Sequence, residues 1–69
     1  MLAIMKDDKR MVVTNYGKSM YGGWYANYHW EDAESIHFDG FHDKTLSGLC
    51  AQIGVSRTAL QRDVRRWDT

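Results

Sequence analysis

The chain has 69 residues, with nine Lys and Arg against nine Asp and Glu, so its formal net charge at pH 7 is zero. This length predicts a single small domain, and a core of this size supplies only about 3 to 5 kcal/mol of stability, which makes a homodimer an expected source of more. The zero net charge argues against a uniformly basic nucleic-acid binder. Any affinity for DNA has to come from the distribution of the charges.

The sequence also suggests where the protein resides. Residues 6–10 are charged and interrupt the apolar start, and no apolar run is long enough to cross a bilayer. We therefore expect no transmembrane segment, no signal peptide, no membrane partner and a cytoplasmic location. The single cysteine, Cys50, cannot form an internal disulfide, which fits a reducing compartment and a structural role.

The amino-terminal half favours β-structure. Residues 10–16 are rich in β-branched and aromatic side chains, and residues 24–30 alternate in polarity, which predicts two antiparallel strands joined by the flexible segment 17–23. A third strand over 36–38 would end at the turn signal Asp39-Gly40. The alternation places four residues on one face of the second strand: Trp24, Ala26, Tyr28 and Trp30.

A helical interpretation of the same region stays open, although a hairpin followed by helices is the favoured one. Short apolar runs do not distinguish a strand from a helix. Two sets of residues also fit helical spacing, and the second could begin a three-helix unit: Trp24, Tyr25, Tyr28 and Asp32; and Trp30, Ala33 and His37.

Five of the nine aromatic residues lie between Tyr21 and Trp30. Core packing is the leading explanation, since a small domain needs large side chains to cover its helices. The functional alternatives are a self-association surface and a stacking platform for unpaired bases. The platform is the weaker of these two, because no Lys or Arg lies in the segment and Glu31-Asp32 follows it.

The last third of the chain predicts two short helices joined by a tight turn. Leu46, Leu49, Cys50 and Ile53 form one apolar stripe of the first helix. The helix should stop at a glycine, after which the chain offers an apolar residue to seal the corner and a favoured N-cap residue: Gly54, Val55 and Ser56. The second helix is predicted over 57–67.

This second helix has two different faces. Leu60, Val64 and Trp67 lie on the packing side at i, i+4 and i+7. The other side presents side chains that can read base edges or bind phosphates, namely Arg57, Gln61 and Arg65, flanked by Thr58 and Arg62. A merely solvated basic face on an ordinary two-helix corner is the alternative interpretation.

The segment 46–65 resembles the helix-turn-helix of bacterial and phage transcription regulators of the repressor and Cro type. The resemblance lies in the small residue Cys50, in Gly54, and in the apolar positions Leu49, Ile53, Val55, Leu60 and Val64. It implies that the start and outward side of the second helix meet double-stranded DNA, through Ser56, Arg57, Thr58, Gln61, Arg62 and Arg65. We add Arg66 and assign the base-reading role to Arg57, Gln61 and Arg65, and phosphate contacts to Thr58, Arg62 and Arg66.

The charges are separated along the chain. The acidic middle consists of Glu31, Asp32, Glu34, Asp39 and Asp43. The basic carboxyl end consists of Arg57, Arg62, Arg65 and Arg66, and its only acidic residues are Asp63 and Asp68. The acidic middle is expected to be a solvated surface or, alternatively, to face a basic partner protein.

No residue pattern supports a metal site, a cofactor or an enzyme. The possible ligands His29, His37, His42 and Cys50 match no compact zinc spacing, no serine has an activating neighbour, and no phosphate loop occurs. We therefore predict an α+β protein with an amino-terminal hairpin or small sheet (1–40) and a helix-turn-helix (43–67). The aromatic amino-terminal part is expected to support the helices or to form a homodimer, and the protein is expected to act as a DNA-binding transcriptional regulator. A small inhibitor or adaptor of the kind that mobile elements encode, docking on a protein through its acidic or aromatic surface, is the alternative.

Overall fold

The structure, a computed structural model, describes residues 2–32 and 39–68. An antiparallel sheet is followed by two helices, which confirms the predicted α+β class. The elements in chain order are β1 (Leu2–Lys6), β2 (Lys9–Lys18), β3 (Trp24–Trp30), β4 (Asp39–Asp43), α1 (Leu46–Ile53), α2 (Arg57–Asp63) and β5 (Arg65–Arg66).

The two predicted strands pair as expected. β2 and β3 form an antiparallel hairpin in which Tyr16 lies opposite Ala26, with an irregularity between Val13 and Asn15. The helical interpretation of residues 24–30 is therefore wrong, because cross-strand partners on both sides of β3 satisfy its backbone. Residues 33 and 37 of that interpretation lie outside the described part of the chain.

Two further strands extend this hairpin, so that the sheet order is β1-β2-β3-β4. β1 was not predicted; it pairs with β2 through a two-residue turn, Asp7-Asp8, whose φ angles of 52° and 62° are those of a tight hairpin. The predicted turn at Asp39-Gly40 is wrong, because both residues belong to β4 and pair with β3. The predicted strand 36–38 lies outside the described residues.

The helices pack on one face of the sheet, which we call the core face. Residues directly opposite each other on paired strands share a face, so the register assigns Trp24, Ala26, Tyr28 and Trp30 to the core face, as predicted. Tyr28 stacks on Phe41 of β4 with ring centroids 4.7 Å apart. The buried core consists of Met11, Val13, Tyr16, Ala26, Leu46, Leu49, Cys50, Ile53, Leu60 and Val64.

The opposite face of the sheet, which we call the outer face, includes Asn15 and Gly17 of β2 and Tyr25 and His42 of the neighbouring strands. No helix packs on it among the described residues, and the indole of Trp67 lies over its Gly17 end. No helix in residues 2–32 and 39–68 is long and apolar enough to cross a membrane.

Candidate nucleic-acid interface

The turn between the helices is built as the sequence predicts. Gly54 adopts φ 93° and ψ 32°, a left-handed conformation that glycine tolerates, and its N–H donates to the Cys50 carbonyl at 2.8 Å. Val55 follows and packs against the core. The Ser56 hydroxyl then accepts from the Ala59 N–H at 3.1 Å and caps α2. The predicted start of α2 at Arg57 is confirmed.

The start of α1 is fixed in a similar way. The Thr45 hydroxyl accepts from the Gly48 N–H at 3.0 Å, and the Asp43 carboxylate accepts from the Thr45 N–H at 3.1 Å and the Gln52 amide at 2.8 Å. These bonds, first that from Thr45 and then that from Gln52, hold the pKa of Asp43 below its usual range. Asp43 of the acidic middle is thus engaged at the junction of β4 and α1.

One completely buried side chain, Leu60, anchors α2 on the core, and Val64 is buried directly after the helix. Because these two residues face inward, the other side of α2 faces solvent. The exposed polar residues on it are Arg57, Thr58, Gln61 and Arg62. The sequence predicted each of these positions to face outward.

The two arginines of α2 differ in their surroundings. Arg62 donates from Nε and Nη2 to the Asp63 carboxylate, both at 3.0 Å, in a pair whose arginine side chain is 70% exposed. Such an exposed pair is weak, so an anionic ligand can replace Asp63. Arg57 has no ion-pair partner within the described residues. It lies four residues before Gln61, so both occupy one stripe of the helix.

The predicted extension of α2 to residue 67 is wrong. Val64 has φ −116° and ψ 132°, an extended conformation that ends the helix at Asp63. Arg65 and Arg66 then pair in parallel with Asn15 and Tyr16 of β2, beyond the end of β1. Burial of Val64 and the unpaired edge of β2 thus outweigh the helical spacing in this segment.

Arg65 and Arg66 consequently leave the helical face to which they were assigned. Arg66 is half-buried, pairs with the Asp68 carboxylate and lies 4.9 Å from the centroid of the Trp24 ring. Arg65 precedes Arg66 on β5, so the two side chains lie on opposite faces of the sheet. Arg65 therefore lies beside Asn15 on the outer face. Together with Trp67 these residues line a polar depression of about 340 Å³.

Trp67 is the clearest departure from the sequence prediction. It was expected on the packing side of α2, but its indole lies over Gly17, where an added β-carbon would be 2.6 Å from Cε2. Its backbone N–H donates to the Tyr16 carbonyl at 2.9 Å, and its indole N–H to the Lys18 carbonyl at 3.4 Å. The ring remains 41% exposed.

The aromatic segment divides between the two faces of the sheet. Trp24, Tyr28 and Trp30 pack against the core, which confirms the core explanation for them. Tyr25 lies on the outer face with its ring centroid 6.3 Å from that of Trp67, and Tyr21 lies in the β2–β3 loop and is 90% exposed. These outer rings, with Met20, line an open groove of about 640 Å³.

The acidic middle does not form one surface in the part that the structure describes. Glu31 pairs with Arg10 at 3.0 Å, and Asp39 accepts from its neighbour's backbone N–H and from the Tyr28 hydroxyl. Burial, and then the negative charge of Asp39, raise the pKa of Tyr28. Residue 34 lies outside the described residues.

Cys50 is buried in the core, and this burial raises the pKa of its thiol. A thiol with a raised pKa is a poor nucleophile, so its position is that of a packing residue. No three His, Cys, Asp or Glu side chains come together as a metal-binding group within residues 2–32 and 39–68.

No protein-family model, no curated protein and no solved structure matches the chain. Its functional interpretation therefore depends on the geometry described above.

Proposed function

We propose that the protein is a sequence-specific DNA-binding regulator whose α2 enters the major groove of double-stranded DNA. The observation that carries this proposal is the outer side of α2, which presents Arg57, Thr58, Gln61 and Arg62 on a helix fixed by Gly54 and Ser56. α2 has seven residues and is about 10 Å long, so it fits across a major groove about 12 Å wide.

The side chains of α2 suit two different tasks. Arg57 can make a bidentate pair with guanine and Gln61 with adenine, and their shared stripe lets both reach neighbouring base pairs. Thr58 and Arg62 flank that stripe and are assigned to phosphates. Ser56 stands at the DNA-facing start of the helix and keeps it capped. Arg65, on β5, is removed from the base-reading group, and Arg66, on β5 and paired with Asp68, from the phosphate contacts of this helix.

We further propose a homodimer. Two copies related by a two-fold axis would place one α2 in each of two half-sites one turn of DNA, about 34 Å, apart. Sedimentation equilibrium at micromolar concentration should give a mass of twice 8.0 kDa, and a purely monomeric protein on a palindromic duplex would contradict this part of the proposal.

The test is to select a preferred duplex from a random library and to measure the affinity of variants for it. Arg57→Ala and Gln61→Ala should each cost about 1 to 3 kcal/mol and relax the base preference at one position. Arg10→Ala is the matched control. Arg10 lies at the start of β2, away from the residues with which β5 pairs, and it is already paired with Glu31. Unchanged binding by both α2 variants would refute the proposal.

A protein-docking module, for example a small inhibitor or adaptor, is the second candidate. The exposed apolar groove favours it, because large exposed apolar patches on small proteins mark interaction surfaces. Binding through an aromatic protein interface would be nearly independent of salt, whereas binding to DNA weakens steeply with added salt as counterions are released.

A further inference from the structure

The groove on the outer face has a chemical character that the sequence does not reveal. It is lined by the aromatic rings of Tyr21, Tyr25 and Trp67 and the side chain of Met20, and no carboxylate is among its lining residues. The ammonium of Lys18 points away to the core face, where it lies 5.7 Å from the centroid of the Trp24 ring. Met20 is 87% exposed and Tyr21 90% exposed, so neither side chain has a packing role that explains it.

The rings on the floor of the groove are held in place before any ligand arrives. Two hydrogen bonds to the backbone of β2 fix Trp67 over Gly17, and Tyr25 packs against its edge at 6.3 Å. A preorganised aromatic floor binds a flat ring with little loss of conformational entropy. An aromatic ligand is therefore the natural occupant of this surface.

A cation lies directly beside this floor. Trp67 separates the groove from the polar depression that Arg65 lines, and Arg65 lies two residues from Trp67 on the same face of an extended chain. No carboxylate pairs with Arg65 within the described residues, whereas Arg66 is already paired with Asp68. The fold thus combines aromatic rings and an available guanidinium from segments about 45 residues apart in sequence.

We propose that the groove binds an unpaired nucleobase of a single-stranded nucleic acid, with the adjacent phosphate on Arg65. Aromatic rings beside a cationic track are the combination that binds single strands without sequence readout. The sequence argument against a stacking platform was the absence of Lys and Arg from residues 21–30 and the acidic pair Glu31-Asp32 that follows. The return of β5 to the sheet answers the first point, and the second carries less weight because Glu31 lies at the other end of β3 and pairs with Arg10.

The alternative occupant, a second copy of the chain, fits the charges less well. A two-fold contact through this groove would offer no carboxylate from the lining to Arg65 at its border, so the guanidinium would stay without a counter-charge. A single strand supplies both the flat rings and the negative charge. The site lies on the outer face and does not depend on the proposed contact of α2 with duplex DNA.

The test uses the full chain and a fluorescein-labelled oligothymidine of about ten nucleotides, a length within the range of small single-strand binding sites. Tyr21→Ala should weaken binding about ten-fold, because one stacked base is lost, and Tyr21→Phe should restore it. The control variant is Met5→Ala, which removes an exposed methionine, 66% accessible, at the opposite end of the sheet.

Two comparisons make the result decisive. An abasic oligonucleotide of the same length should bind more weakly than oligothymidine, and Arg57→Ala should leave oligothymidine binding unchanged. The proposal is overturned if Tyr21→Ala binds like the native protein, if the abasic strand binds equally well, or if Arg57→Ala abolishes single-strand and duplex binding together. Concentration-dependent dimerisation that Tyr21→Ala abolishes would overturn it in favour of a self-association surface.

Discussion

Replacement of Gly54 by alanine tests the turn on which the orientation of α2 depends. At φ 93° an L-residue is strained by about 1 to 2 kcal/mol, and nothing lies within 4 Å of the added β-carbon, so the cost is conformational and not steric. We expect a net loss of about 1 kcal/mol and a fall in Tm of roughly 4 to 8 °C. Urea and thermal unfolding, followed by circular dichroism, measure both quantities.

The sign of the effect decides between two structures. If α1 and α2 were one continuous helix, alanine would be the better residue by about 1 kcal/mol, and Gly54→Ala would raise the stability. Gly54→Asn is the matched control, since asparagine also adds a β-carbon but tolerates the left-handed region. A stabilised Gly54→Ala protein, or equal losses for alanine and asparagine, would refute the account of the turn.

Two further predictions concern the ends of the helical unit. Because the pKa of Asp43 is lowered in the folded state, its carboxylate stabilises the fold above about pH 4, and this contribution is lost as the pH falls through the lowered pKa. The urea midpoint of the native protein should therefore be higher than that of Asp43→Asn at about pH 6, and the two midpoints should become equal in acid. A difference in midpoint that does not change with pH would contradict this. Gly17→Ala should displace the indole of Trp67. The near-UV circular dichroism spectrum of this variant should then resemble that of Trp67→Phe, while its far-UV spectrum stays native. A native near-UV spectrum for Gly17→Ala would show that the Trp67 ring does not lie over Gly17.

The sequence predicts those elements whose signals are local. An apolar stripe, a glycine in a left-handed turn and an N-cap serine lie within eleven residues, and together they give the limits of α1 and the start of α2. The alternation of β3 likewise gives its faces, because the period of two is a property of the strand itself. The exposed side chains of α2 were found for the same reason.

The remaining elements depend on contacts between distant segments. Leu60, Val64 and Trp67 fit a helical stripe, but β2 offers an unpaired edge at Asn15 and Tyr16, about 50 residues earlier, and that edge takes Arg65 and Arg66 into the sheet. No periodicity within residues 57–67 signals this. The aromatic groove is missed for the same reason, since Trp67, and Arg65 beside it, meet Tyr21 and Tyr25, about 40 residues earlier, only in the folded chain. β1 gave a weak signal because its apolar run, Leu2 to Met5, is only four residues long.

The most direct test of the central claim is a fluorescence-anisotropy titration with two duplexes, one of random sequence and one from the DNA upstream of the protein's own gene. Each is measured at low and at physiological salt. Binding of DNA through α2 predicts tight association that weakens steeply with salt and favours the upstream duplex. Absence of binding to either duplex at low salt would contradict the claim and favour the protein-docking function.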